Sequence, residues 1–144
     1  MTDPARYTEI EFEQERASNI YLMSLAILIV GLPLPIINFL ATIFMFISNL
    51  KKSWFIRWHS LQALLSQALI AGVNAVGMYW TLSIFLGDRV ISNPYIAYII
   101  TAVIFNLIEL IGTVYAAVEV RKGNHVEFLF FGPLTDFFCG KKPE

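Results

Sequence analysis

Polar and apolar positions divide the chain into five stretches. Residues 1–18 are polar and acidic, carrying Asp3, Glu9, Glu11, Glu13 and Glu15. Asn19 to Leu50 and Trp58 to Gly87 contain no charged residue, and Pro94 to Val118 contains one, Glu109. Residues 123–144 alternate polar groups with Phe128, Phe130, Phe131, Phe137 and Phe138. About 20 apolar residues in a helix cross a hydrocarbon core of about 30 Å. The second and third apolar stretches meet that length. The first, as one helix, would be about 48 Å long, too long for one straight span and too short for two. Gly31-Leu32-Pro33-Leu34-Pro35 interrupts it, and proline removes a backbone donor and clashes with the preceding turn. Two arrangements stay open. Residues 19–32 and 36–50 form a half-depth hairpin with both ends on one side, or one kinked helix crosses completely. The hairpin is favoured.

The pattern therefore predicts an all-α integral membrane protein. It has three to four membrane-embedded helical segments, the first broken at Pro33/Pro35, plus interfacial N- and C-terminal elements. The expected organisation is an acidic surface helix over 1–18, a helical membrane domain over 19–122 and an aromatic interfacial tail over 123–144. Within the membrane domain, 19–50 is the broken segment, and 58–87 and 94–120 are the spanning helices. Thr8-Glu9-Ile10-Glu11 has the spacing of a capping box. Gly123 suits a helix stop, and Pro133 suits the first turn of a short helix.

Composition strengthens the membrane reading. The chain is 57% hydrophobic and 15% charged, with mean hydropathy +0.64. Soluble domains average about 45–50% apolar and about 25% charged. A net charge of −1 provides no field for a nucleic-acid partner. Cys139, the one cysteine, excludes an intrachain disulfide. The acidic N-terminus lacks the positive region of a secretory signal. Lys51, Lys52 and Arg57 follow the first segment, and Arg121, Lys122, Lys141 and Lys142 follow the third, whereas the intervening loop has only Arg89. Positive loops stay cytoplasmic, which predicts residence in the inner (cytoplasmic) membrane with the C-terminus on the cytoplasmic side. Trp54 and Trp58 at one end of the second segment, with Tyr79 and Trp80 at the other, fit aromatic belts; Tyr95, Tyr98 and Tyr115 repeat the pattern.

On helical wheels the polar and small residues of the two spanning segments gather on one side each. His59, Gln62, Ser66, Gln67, Asn74, Gly77 and Thr81 mark one stripe, and Tyr98, Thr101, Phe105, Asn106, Glu109 and Thr113 the other. Such faces pack helices together in lipid. An antiparallel hairpin turning near Asp88-Arg89 sets Gln67 within a turn of Glu109, Asn74 close to Asn106, and Gly77 opposite Thr101. Glu109 falls near mid-depth, where acids face the protein interior and mark function. It reads either as a carboxyl bonded to Gln67 or Asn106, or as a proton-titrating or cargo-contacting site. No phosphate loop, serine triad or HExxH occurs, His125 is the only histidine besides His59, and Cys139 is isolated. The residues thus predict no catalytic residue, no cofactor and no metal site.

Phe55-Ile56-Arg57-Trp58-His59-Ser60-Leu61-Gln62-Ala63 resembles the aromatic–aliphatic–Arg–aromatic–His/Asn–small–Leu/Met–Gln–Ala signature of a family of small membrane proteins. That family includes the twenty-kilodalton channel-type subunit of the chloroplast inner-envelope import translocon and its bacterial relatives. Ala116-Ala117, Gly123 and Pro133-Leu134-Thr135 resemble a related bacterial family of unknown function. The resemblance implies a helical membrane protein in which Arg57, His59 and Gln62 occupy the signature positions, and participation in a multisubunit translocon. The expected function is a non-enzymatic integral membrane subunit of a larger envelope complex, related to protein translocation, with the bilayer and other membrane subunits as partners. The alternative is a small proton-linked transporter or channel component that uses Glu109.

Overall fold

The computed structural model describes residues 4–31, 35–87 and 89–140. Pro33, Asp88 and the tail lysines Lys141 and Lys142 lie outside the described residues. Among those described there are five helices: α1 (Pro4–Gly31), α2 (Pro35–Asn49), α3 (Trp54–Phe85), α4 (Asn93–Arg121) and α5 (Phe131–Cys139).

Each boundary has a local cause. Proline is the first residue of α1 and of α2 and the second of α4, in the first turn, where its missing N–H costs nothing. Because α1 begins at Pro4, Thr8 lies inside the helix, so the capping box expected there does not start it. α4 ends in a Schellman motif. Gly123 N–H donates to the Val120 carbonyl at 3.0 Å and Asn124 N–H to the Glu119 carbonyl at 3.0 Å. Gly123 has φ 87°, which only glycine adopts without strain.

Among the described residues, two helices are long and apolar enough to cross a membrane, α3 with 32 residues and α4 with 29. This corrects the expectation of three to four. The reason is length. α1 ends at Gly31 and α2 begins at Pro35, so the first apolar stretch is divided between two helices. α2 has 15 residues, about 22 Å of helix, against a core of about 30 Å. α1 is longer, but Arg6, Glu9, Glu11, Glu13, Glu15 and Arg16 occupy its first half.

α1 and α2 fold back on each other. Arg16 Nε donates to Asn49 Oδ1 at 3.1 Å, joining the middle of α1 to the last residue of α2. α1 also runs antiparallel to α4: Ser18 Oγ donates to the Ala117 carbonyl at 2.7 Å, and Gln14 lies against Gly123. The apolar core sits at this end. Ala17, Ile20 and Tyr21 of α1 meet Met45 of α2, Ile56 and Ala63 of α3, Ala116, Ala117 and Val120 of α4, and Val126 beyond it. α5 closes the same end. Trp58 Nε1 donates to Asp136 Oδ1 at 2.7 Å and Trp54 Nε1 to the Gly140 carbonyl at 3.0 Å. Apolar side chains elsewhere point outward, among them Phe44 at 75%, Phe85 at 84% and Ile111 at 67% exposure. In water so much exposed apolar surface would drive association; in lipid it is the outer surface.

Candidate functional site: a polar column through the helices

The polar face of α3 organises a column of hydrogen bonds with Gln62 at its upper end. Gln62 Nε2 donates to the Tyr21 hydroxyl at 2.9 Å and to the Val126 carbonyl at 3.0 Å; its Oε1 accepts from Phe128 N–H at 2.8 Å. A carbonyl only accepts and a backbone N–H only donates, so these two partners fix the amide orientation. The Tyr21 oxygen then accepts from Gln62 and lies 2.8 Å from His59 Nδ1. His59 Nε2 faces His125 Nδ1 at 3.3 Å. His125 Nε2 in turn lies 3.3 Å from Glu127 Oε1, at the exposed surface. One chain of polar contacts therefore links α1, α3 and the segment after α4. Phe55, Trp54 and Trp58 pack their rings around the two imidazoles.

Below this lies Glu109. Its Oε1 accepts from Ser66 Oγ at 2.8 Å, Gln67 Nε2 at 3.3 Å and Thr113 Oγ1 at 3.3 Å. Gln67 Oε1 is buried with no hydrogen-bond partner. Farther along, Asn74 and Asn106 pair reciprocally, at 3.1 and 2.7 Å, and Asn106 Nδ2 also reaches the Ala102 carbonyl at 2.8 Å. The column ends with Tyr98 donating to the Val73 carbonyl at 2.8 Å and Thr81 facing the Tyr95 hydroxyl at 3.0 Å.

The structure thus joins Gln67 to Glu109 and Asn74 to Asn106. It does not set Gly77 opposite Thr101. Gly77 faces Tyr98, whose Cε1 lies 3.4 Å from where a Cβ would stand, and Thr101 is exposed and bonds back to the Ala97 carbonyl. Phe105, on the expected stripe, is 41% exposed. Trp58 is fully buried and bonds to Asp136 rather than standing in a lipid-facing belt. Arg57 is half-buried, with its charge near the Cys139 thiol and its Nε buried without a hydrogen-bond partner. Burial pushes that thiol up from its usual value, against the pull of Arg57.

Sequence reasoning missed Tyr21 and Asp136. Each left a trace: Tyr21 is a tyrosine inside an otherwise apolar run, and Asp136 is the one acid amid the tail phenylalanines. Among the described residues no three His, Cys, Asp or Glu side chains converge as metal ligands. Chemically, the column satisfies polar groups with one another across helices.

Residues 17–135 match the sequence profile of the MamF/MmsF family, described as the magnetosome magnetite crystal formation protein family. The chain belongs to that family. The MamF/MmsF match covers most of the sequence and spans every helix of the column. It overturns the resemblance to the chloroplast import translocon and removes the support for protein translocation. The nine residues Phe55–Ala63 that carried the resemblance form the α3 side of the polar hub, where an aromatic, a histidine and a glutamine are demanded by packing and hydrogen bonding. No curated protein and no solved structure matches the chain.

Proposed function

We propose that the protein serves magnetite crystal formation as a non-enzymatic, multi-pass subunit of the membrane in which the crystal grows. One observation carries this reading. The family match begins at Ala17 and ends at Thr135, both fully buried, so the matched stretch is the folded helical body itself. Residues 19–122 form the membrane domain in this reading, with residues 4–18 and 123–140 at one surface of it. Lys51, Lys52, Arg57, Arg121 and Lys122 gather at that surface, and Arg89 stands alone at the other, which supports a cytoplasmic C-terminus and origin in the inner membrane.

Glu109, Asn106, Gln67 and Asn74 act in this reading as the joint between α3 and α4, and His59 and Gln62 as the fastening of α1 and the tail. Their hydrogen-bonding atoms are taken up largely by one another, which supports scaffold over transport. Partners are other membrane subunits at the same site.

The test is deletion of the gene in its native host, followed by complementation with the full chain or with Gln62→Leu. Crystal number and dimensions are measured by electron microscopy. Deletion is expected to alter the crystals, the full chain to restore them and the variant to restore them poorly. Crystals unchanged by deletion would refute the proposal. Purification in mild detergent is expected to bring down further membrane proteins.

A further inference from the structure

We infer that the molecule is a wedge suited to a curved bilayer, with the half that carries α1, α2 and α5 in the convex leaflet. The inference rests on the membrane-spanning reading of α3 and α4.

The helix registers establish the shape. α1 is antiparallel to α4 from the Ser18–Ala117 contact onward. From Ser18 to Gly31 is about 20 Å of helix, which ends level with the middle of α4. α2 returns beside α1 and packs against α3, covering about 22 Å from the α3 N-terminus. Among the described residues, beyond that level α3 and α4 have only each other.

Burial follows the same division. In α3, Ile56, Trp58 to Ala63, Ser66 and Gln67 are buried, whereas past them only Ile70, Gly77 and Ser83 are. In α4, Ala102 is the one buried residue before Glu109, and Thr113, Ala116, Ala117 and Val120 follow it. Even between the two helices of the thin half a groove of about 620 Å³ opens, lined by Gly77, Met78, Ile99 and Val103 among others. At the thick end α5 is tied to α3 by the two indole bonds. That end also presents Leu129 at 84%, Phe130 at 80% and Phe137 at 81% exposure.

Lipid must fill the volume that protein leaves. One leaflet meets a multi-helix body with an aromatic rim, and the other meets two helices. A flat membrane gives both leaflets equal area. Bending toward the thick half gives that leaflet more area, and its packing gaps accept aromatic side chains, the basis of curvature sensitivity in interfacial helices.

The test uses the full-length protein with a dithionite-quenchable fluorophore on its C-terminus. It is reconstituted into giant vesicles of phosphatidylcholine with a minority of phosphatidylglycerol, and narrow tethers are pulled from them. External dithionite separates outward-facing from inward-facing molecules. Outward-facing molecules are expected to be enriched in the tether by about twofold or more, a preference of about 0.4 kcal/mol, and inward-facing ones depleted. The double variant Phe137→Ser/Phe138→Ser is expected to float with vesicles as before and to be enriched less. Equal partition of both orientations, or enrichment of the inward-facing one, would overturn the wedge while leaving the membrane reading intact. Failure of the wild-type chain to float with vesicles would overturn both.

Discussion

Gln62 satisfies three groups from two separate parts of the chain, so its loss exposes several partners at once. Gln62→Leu leaves the Val126 carbonyl and Phe128 N–H unpaired in a buried site. A cost of about 2–4 kcal/mol is expected, seen as a lower unfolding temperature in detergent. Glu109 behaves differently under substitution, because glutamine keeps the accepting oxygen that Ser66, Gln67 and Thr113 use. Glu109→Gln is expected to change stability by less than about 1 kcal/mol, whereas Glu109→Leu strands three donors and costs more. The same variant decides the transport alternative. If wild-type proteoliposomes carried a proton flux that Glu109→Gln abolished, the scaffold role would be wrong. At Cys139, burial holds the thiol protonated at neutral pH. Maleimide labelling of the native protein is expected to be slower than that of the unfolded chain at pH 7 and to accelerate as pH rises. Equal rates would show that the thiol is not shielded.

The α3–α4 pair was legible as an element pair because wheel positions depend only on helical period, and lipid makes small and polar residues mark the contact. Its exact register was not. Gly77 lies against Tyr98 instead of Thr101, since the large tyrosine ring bonds to the Val73 carbonyl and fills the space that glycine leaves. The Asn74–Asn106 pair is expected to contribute about 0.6 kcal/mol and at most about 1.7, the range for polar contacts between membrane helices. A double-mutant cycle with alanine at both positions, read by unfolding in detergent, measures it; additive single effects would show that the pair is uncoupled. The end of α4 is the other sensitive element. Gly123→Ala places a Cβ 2.5 Å from Gln14 Nε2 in a left-handed backbone. Gln14 can move aside, so the expected loss of about 1–2 kcal/mol is mainly the backbone's.

At the scale of the whole molecule, α1 and α2 fold back on each other through Arg16 and Asn49, and Glu15 lies 3.6 Å from Arg121 of α4. In a Cys139→Ser background, thiols introduced at Glu9 and Asn124 are expected to be labelled from one side of the membrane and a thiol at Ser92 from the other. Labelling of Glu9 and Ser92 positions from the same side would refute this topology. The sequence by itself determined that the chain is helical, apolar and suited to lipid, because helix length and residue polarity are local quantities that hydrocarbon reads directly. It also placed the break near Gly31–Pro35, since proline and glycine act on their own backbone. Tertiary structure decided the rest. Whether two pieces of a broken segment cross the bilayer or return depends on what they pack against, and here α4 and α3 receive them side by side. Tyr21, His59, Gln62 and His125 are far apart in the chain, and only the folded helices bring their hydrogen-bonding atoms within reach of one another.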